Sequence, residues 1–390
     1  MAHYRPIILS DGFRLFFLSA AIIAMVNMAI WIGYFAGYIE LHSLFSPVIW
    51  HFHEMIYGFI GAVIAGFLLT AVPNWTNRPA LKGKNLLALW ALWVFGRVVT
   101  FYSEYTGVYF ALLADLPFIF ILSLYVFWQI SQQNSKRNMP VVLVLLFLGG
   151  ANTLMYVEYI FGFSLSQYGY RLSIVLVATL IMLIGGRIIP NFTRNSLRNM
   201  MGNEPQQNLP ILMNKFDISC IIISLIGLLL WVVLPDEKLV GMLLMLVGFL
   251  HLIRLSRWRF LAIYKIPMLC ILHVAYMWLA VGFFLLGLFI YMDSGYYAVA
   301  IHVITVGAFT NMILGVMTRA SLGHTGRVLT AAKTTILLYI AINIAVIARM
   351  LAPFSADFER ELLYLSSAGW FGAFGLFIIE YTAYFFTARK

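Results

Sequence analysis

Two histidines and a glutamate open an apolar segment near residue 51, where the chain reads WHFHEMIYGFIGAVIAGFLLTAVPNW. His51, His53 and Glu54 thus stand at the mouth of a stretch that otherwise belongs in hydrocarbon. An ionisable side chain within a bilayer is costly, so such residues are candidates for function. Imidazole is a natural ligand of haem iron, copper and zinc, which makes the two histidines candidate metal ligands and leaves Glu54 as a candidate proton carrier.

Three imidazoles share a predicted depth in the membrane. His51, His53 and His302 each lie about two turns inside helices that enter from the same side, at a rise of roughly 1.5 Å per residue. His273 lies about two turns from the opposite surface, within LHVAYMW, and is the candidate axial ligand of a haem whose propionates Arg319 and Arg327 would hold. His251 stands alone near the end of another apolar segment, where a hydrogen-bonded packing histidine is the simpler interpretation.

The spacing within HFHE limits what one metal can bind. At about 100° per residue, His51 and His53 point to nearly opposite faces of a regular helix. Either the helix frays at this point, or one histidine binds metal and the other serves a second site or supports a ligand. Glu54 lies within roughly 60° of His51 and could accept a hydrogen bond from a metal-bound imidazole.

The opposite ends of two of these helices carry a second set of candidates. Their polar residues occur in AVPNWTNRP and in TRASLGHTGR, and they are Asn74, Trp75, Arg78, Arg319, His324 and Arg327. Cations on a glycine-permitted backbone could hold haem propionates or phosphate-like anions. An ordinary positively charged loop at the membrane surface is the alternative interpretation.

The composition identifies an integral membrane protein. Of the 390 residues, 63% are hydrophobic and only 10% are charged, whereas a soluble domain is about one quarter charged. The net charge of +10 comes from short loops between apolar runs, which argues against a nucleic-acid partner. Cys220 and Cys270 form no CxxC motif, no CxxCH haem-attachment motif and no disulfide framework.

The apolar runs predict an all-α, polytopic fold with about twelve transmembrane helices in a single domain, 1–390. The predicted helices are 13–38, 48–72, 86–104, 108–130, 140–161, 168–189, 214–234, 238–256, 267–291, 296–318, 329–352 and 361–386. Basic residues gather in alternate connections and at both ends, among them Arg5, Lys84, Lys136, Arg137, Arg198, Arg259 and Lys390. The positive-inside rule therefore predicts cytoplasmic N and C termini.

A weak internal repeat accompanies this pattern. AVPNWTNRP at 71–79 is similar to RIIPNFTRN at 187–195, and VMTRASLGHTGR at 316–327 is a weaker third copy. The copies follow the second, sixth and tenth helices, which predicts a threefold duplication of a four-helix unit. The alternative is that Pro-Asn-aromatic-Thr is simply a convenient end for a membrane helix, with tryptophan at the interface.

Three segments of the chain resemble the NnrS family of bacterial inner-membrane proteins. They are HFHEMIYGFIGAVIAGFLLTAVPNWTNRPALKGK at 51–84, LHVAYMW, and HVITVGAFTNMILGVMTRASLGHTGR at 302–327. The resemblance implies a twelve-helix protein that contains haem and copper and takes part in nitric oxide metabolism and resistance to nitrosative stress. It also implies that the metal ligands lie among His51, His53, His273, His302 and His324.

The expected function is therefore a haem-containing nitric oxide reductase of the inner membrane. We expect haem b, bound without a covalent link, and a second metal, either copper or another non-haem metal. Electrons would come from a quinol or a small redox protein, and nitric oxide would reach the site from the lipid bilayer. The alternatives are a membrane transporter, a haem- or metal-handling protein, and a non-catalytic nitric-oxide-binding regulator.

Overall fold

The structure is a computed structural model that describes residues 6–132, 138–201 and 208–390. Helix accounts for 83% of it, and the described residues contain no strand, which confirms the all-α class. Three basic residues used to predict the topology, Arg5, Lys136 and Arg137, lie outside the described residues.

Twelve helices in the described residues are long and apolar enough to cross a membrane, as the sequence predicts. In chain order they are α1 Gly12–Phe35, α2 Pro47–Thr76, α3 Lys84–Phe101, α4 Val108–Ser131, α5 Met139–Phe161, α6 Ser166–Met200, α7 Lys215–Val233, α8 Lys238–Ala262, α9 Pro267–Tyr291, α10 Tyr297–His324, α11 Lys333–Phe354 and α12 Ala356–Phe386. The chain is a polytopic membrane protein.

Two helices run past the prolines at which the sequence predicts their ends. Pro73 lies inside α2 and Pro190 inside α6, so the predicted ends at 72 and 189 are wrong. The asparagine after each proline donates its side-chain amide to the carbonyl four residues earlier, Asn74 at 2.9 Å and Asn191 at 2.7 Å. Each of these bonds adds a contact within the helical turn that holds the proline, and prolines occur inside membrane helices where the surrounding protein satisfies the backbone.

Wider turns interrupt three of the twelve helices. They are π-helical segments at Glu54–Ile60 in α2, Ile181–Gly185 in α6 and Val303–Thr310 in α10. These are the same three helices that carry the repeated sequence motif, although the duplication itself stays a prediction. Short π segments occur often at functional sites, and the first of them begins at the candidate proton carrier.

The chain divides into two compact units. The first comprises Met1–Leu176, Ala320–Val328 and Phe377–Lys390, and the second comprises Val177–Arg319 and Leu329–Leu376. In the first unit a Cβ on Gly96 of α3 would lie 3.1 Å from the Asp115 Cα of α4. In the second unit a Cβ on Gly248 of α8 would lie 2.6 Å from the Ala280 carbonyl of α9. These glycines let adjacent helices approach closely enough for buried polar side chains to meet across them.

Candidate functional site

Six buried polar side chains of the first unit contact one another around Glu54, and we call them the Glu54 cluster. They come from α2, α3, α4 and α5, and they are His53, Glu54, Arg97, Asp115, Asn152 and Tyr156. None of the six is more than 6% exposed. Polar groups buried to this degree are stable only when each finds a partner, so their contacts define what the cluster can do.

Asp115 is the fixed anion of the Glu54 cluster. One carboxylate oxygen accepts a hydrogen bond from Arg97, and the other accepts from the Asn152 amide at 2.7 Å and the Tyr156 hydroxyl at 3.1 Å. His53 Nε2 also approaches this second oxygen, at 3.0 Å. Each of these hydrogen bonds is stronger to the charged form of a carboxylate.

The ring of His53 contacts oxygen atoms at both of its nitrogens. Its Nε2 faces two acceptors at 3.0 Å, Asp115 Oδ2 and Asn152 Oδ1, so Nε2 carries a hydrogen. Its Nδ1 lies 3.0 Å from Glu54 Oε1. That contact needs one proton, held either by Nδ1 or by Glu54. With Arg97 and Asp115 charged, either placement leaves the cluster neutral, so the proton can move between the two groups without leaving a net buried charge.

Glu54 is positioned by the π segment that it begins. Its backbone carbonyl accepts from the Asn27 side chain at 3.1 Å, and the Gly58 carbonyl accepts from the Trp93 indole at 3.2 Å. A Cβ on Gly58 would lie 3.0 Å from Glu54 Oε2 and 3.3 Å from Arg97 Cδ. The glycine therefore leaves the space in which Arg97 Nη1 donates to Glu54 Oε1 at 2.7 Å.

The two histidines of HFHE lie in different surroundings. The ring of His51 stacks on Trp31 of α1, with centroids 4.2 Å apart and planes at 16°. His53 instead points into the Glu54 cluster and packs against Phe45 and Tyr57 at 5.0 Å. The predicted divergence of the two rings is therefore seen. Because both nitrogens of His53 face oxygen atoms, this arrangement suits proton handling better than metal ligation.

His302 and His273, in the second unit, differ in what their Nε2 atoms meet. His302 donates its Nδ1 hydrogen to the Ala298 carbonyl at 2.8 Å, and its ring remains partly exposed. A neutral imidazole bonded in this way carries its lone pair on Nε2, which is the form that binds metals. His273 is 1% exposed, with Nδ1 3.0 Å from the Leu269 carbonyl and Nε2 3.4 Å from the Trp258 carbonyl. His302 is thus the better-prepared ligand.

The candidates in AVPNWTNRP occupy ordinary structural positions at the end of α2. Asn74 bonds its own helix, and the Trp75 ring meets Phe67 edge-on, with centroids 6.2 Å apart. Arg78 stacks its guanidinium over the Trp128 ring at 4.3 Å. No two of these three candidates contact each other through these interactions.

The candidates in TRASLGHTGR are similarly dispersed. Arg319 lies over the Phe192 ring at 4.2 Å, within the second unit. In the first unit, the exposed His324 packs against Phe13 with centroids 5.5 Å apart. Arg327 donates to the Thr387 hydroxyl at 2.8 Å.

A second buried polar group lies in the second unit, and we call it the Arg254 cluster. Its members come from α7, α8 and α9, and they are Asp217, Ser224, His251, Arg254, Arg257 and Tyr276. Asp217 accepts from Arg254 Nε at 2.8 Å and from Arg257 at 3.3 Å. The Asp217 side chain also accepts from the Asn214 backbone, closing a capping box at the start of α7.

Hydrogen bonds in the Arg254 cluster run in one direction. Arg254 donates to the Tyr276 hydroxyl at 2.5 Å, which leaves that hydroxyl to donate to His251 Nδ1 at 2.9 Å. His251 Nε2 then donates to the Ser224 hydroxyl at 2.8 Å, and Ser224 donates to the Cys220 carbonyl at 2.6 Å. With a neutral His251, each hydrogen in this series of bonds has a single donor and a single acceptor. This confirms the interpretation of His251 as a hydrogen-bonded packing residue.

Several members of these clusters were missed by reasoning from the sequence. Arg97 and Asp115 are single charges within apolar runs, in WVFGRVVTF and LLADLPF, and that was a readable signal of function or pairing. Asn152 and Tyr156 carry no comparable signal, because amides and phenols are common in membrane helices. Among the described residues, no three or more His, Cys, Asp and Glu side chains group as a metal ion would require.

Comparison with known families decides the assignment. The model of the NnrS protein family matches residues 7–389, nearly the whole chain. The chain belongs to the NnrS family. The family is linked to the nitric oxide response, so this is a membrane protein of nitric oxide metabolism. Comparison with curated proteins gave no match.

Proposed function

We propose that this NnrS-family protein is a haem-containing nitric oxide reductase of the bacterial inner membrane, with both termini in the cytoplasm. Two nitric oxide molecules, two electrons and two protons give one nitrous oxide and one water. Electrons come from a quinol or a small redox protein. The substrate is small, neutral and lipid-soluble, so it reaches a site among the helices from the bilayer.

The observation that carries the proposal is the buried contact of 3.0 Å between His53 Nδ1 and Glu54 Oε1 within a membrane helix. A reductase consumes protons in an apolar interior, whereas a protein that only binds nitric oxide needs none. Glu54 and His53 lie 3.0 Å apart and belong to a cluster that stays neutral with the proton on either group. The proposal therefore assigns Glu54 to proton delivery, with His53 as its partner and Arg97 and Asp115 as fixed charges.

Haem b fits the donor chemistry of His302. Its Nδ1 hydrogen is held by the Ala298 carbonyl, its Nε2 is available, and the chain lacks a CxxCH motif for covalent attachment. When bound, the haem iron would supply the redox chemistry on nitric oxide. A separate copper site has no comparable support, because the described residues offer no group of three or more His, Cys, Asp and Glu side chains that could hold a metal ion. No step is therefore assigned to copper.

The test is a spectrum and a product assay on the full-length protein in detergent. We expect wild type to show a Soret band, to lose its haem completely to acid-acetone, and to form nitrous oxide when supplied with reductant and nitric oxide. His302→Ala should lose the band and the product together. His42→Ala is the matched control, because His42 lies in a loop and bonds Tyr105 and Glu104 near the surface. The proposed reductase function would be overturned by a folded wild-type protein without a Soret band. It would also be overturned by a protein that contains haem but forms no nitrous oxide.

A further inference from the structure

Arg349 of α11 is a half-buried guanidinium without a local partner. Within the described part of the chain it makes no hydrogen bond and no ion pair, and the Glu359 charge acts on it only from beyond ion-pair distance. Three other arginines of the membrane helices are anchored by hydrogen bonds, although each keeps one buried nitrogen unbonded. Arg97 and Arg254 donate to carboxylates, and Arg14 donates to backbone carbonyls. A cation in a membrane helix without such a partner calls for an anionic ligand.

The first turns of α10 pack against the helix that carries Arg349. Helix α11 contacts Tyr297–His302 of α10, and Asn343 of α11 donates to Asn311 of α10 at 2.8 Å. At about 1.5 Å per residue, Arg349 lies roughly 9 Å from that bond toward the end of α11, and His302 lies roughly 14 Å from it toward the start of α10. The same small region of the second unit therefore holds an imidazole with a bare Nε2 and a guanidinium with unused donors. A single ligand that carries both a metal and a carboxylate would satisfy the two groups at once.

We propose that Arg349 binds a propionate carboxylate of the prosthetic group whose metal is ligated by His302. This inference rests on the proposed function, because it takes that group to be haem b. A guanidinium presents a planar fork of N–H donors that matches a carboxylate, whereas the ammonium of lysine is a point charge. Arg349 is accordingly a binding residue for the cofactor and takes no part in proton transfer.

The same argument separates Arg349 from Arg319, which the sequence predicts, together with Arg327, as a propionate partner of a haem ligated by His273. Arg319 follows His302 by seventeen residues on α10, which places it about 25 Å further along the helix axis. That distance is longer than a haem, so Arg319 cannot hold a carboxylate of a group ligated by His302. Its guanidinium already lies over the Phe192 ring at 4.2 Å.

The experiment compares haem b with its dimethyl ester, in which both propionates are neutral. Each is added to the full-length protein after removal of its own haem, and the dissociation rate is measured by transfer to a scavenger protein. Wild type should release the ester roughly ten- to a hundredfold faster than haem b, the range for a lost charge-assisted hydrogen bond. Arg349→Gln should release both at the faster rate, and Arg349→Lys should fall between.

Arg360→Gln is the matched control, because it removes an exposed positive charge at the start of α12 and should keep the wild-type preference. Size-exclusion profile and helical circular dichroism establish that each variant is folded. Equal preference for haem b in wild type and in folded Arg349→Gln would overturn the assignment of Arg349 and leave the haem protein standing. A wild type that binds no haem at all would overturn the proposed function and this inference together.

Discussion

The Glu54 cluster and the Arg254 cluster contain the same types of residue, but their histidines have different hydrogen-bond partners. Each contains a buried arginine–aspartate pair between consecutive helices, a fully buried histidine and a tyrosine. The tyrosines come from α5 and α9, which are four helices apart in the chain. What differs is the neighbourhood of the imidazole. His53 has a carboxylate near each nitrogen, whereas His251 lies between two hydroxyl groups.

That difference decides whether a proton can move. In the Arg254 cluster the order of donors is fixed from Arg254 to the Cys220 carbonyl, so a proton added or removed would leave an unpaired group. In the Glu54 cluster one proton has two acceptable positions, and both leave the site neutral. Burial of a histidine by itself is therefore no sign of chemistry, and a carboxylate beside its second nitrogen is the informative feature.

The largest expected effect comes from removing each buried arginine. Arg97→Met leaves Glu54 and Asp115 without their cation and should lower the free energy of unfolding by roughly 3–5 kcal/mol. Arg254→Met should cost less, about 1–3 kcal/mol, because Arg257 and the Asn214 backbone still bond Asp217. Denaturant unfolding in mixed micelles measures both values. An equal or larger loss in Arg254→Met would contradict the view that the Glu54 cluster holds the greater uncompensated charge.

Much of the architecture could be predicted from apolar length and loop charge alone. Twelve helices were expected and twelve are present in the described residues, because a membrane-spanning length leaves a strong local signal. The predicted ends of α2 and α6 are wrong because both helices continue through a proline, Pro73 and Pro190. A proline inside a membrane helix is tolerated where the surrounding protein satisfies the backbone, and a count of apolar residues does not show this.

The site was less predictable for a related reason. Residue type marks His53 and Glu54 as exceptional, but their partners are set by which helices pack together. Arg97 and Asp115 lie on consecutive helices, and they meet because Gly96 lets α3 approach α4 closely. Asn152 is contributed by a further helix, and no local pattern places it beside His53. The choice of His302 over His273 likewise depends on backbone carbonyls that only the folded chain positions.

Replacing the carboxylate of Glu54 should affect stability less than replacing Arg97, and it should affect turnover strongly. Glu54→Gln can keep the acceptor for Arg97 and donate its amide to His53 Nδ1, so the cluster stays neutral and folded. It has no proton to deliver, and nitrous oxide formation per haem should fall by about a hundredfold or more. Asp217→Asn should lower stability and leave turnover per folded haem protein unchanged.

These two variants distinguish proton delivery from general disruption. Haem content and unfolding are measured on the same preparations as nitrous oxide formation, so a loss of folded protein is separated from a loss of chemistry. Unchanged turnover in folded Glu54→Gln would remove Glu54 from the mechanism. A matching fall in Asp217→Asn would show that both clusters act on the reaction, and the contrast between them would then fail.

The smallest chemical change is the removal of a single tyrosine hydroxyl, and it tests the fixed order of the Arg254 cluster most directly. Tyr156 provides one of several donors to Asp115, at 3.1 Å, so Tyr156→Phe should cost about 0.5–1.5 kcal/mol. Tyr276 is the only link between Arg254 and His251 in the described network, so Tyr276→Phe leaves His251 Nδ1 without its donor and should cost about 1–3 kcal/mol. Both values come from the same unfolding measurement. A larger loss of stability in Tyr156→Phe than in Tyr276→Phe would contradict this view. It would show that the hydrogen bonds of the Arg254 cluster can rearrange when the Tyr276 hydroxyl is removed.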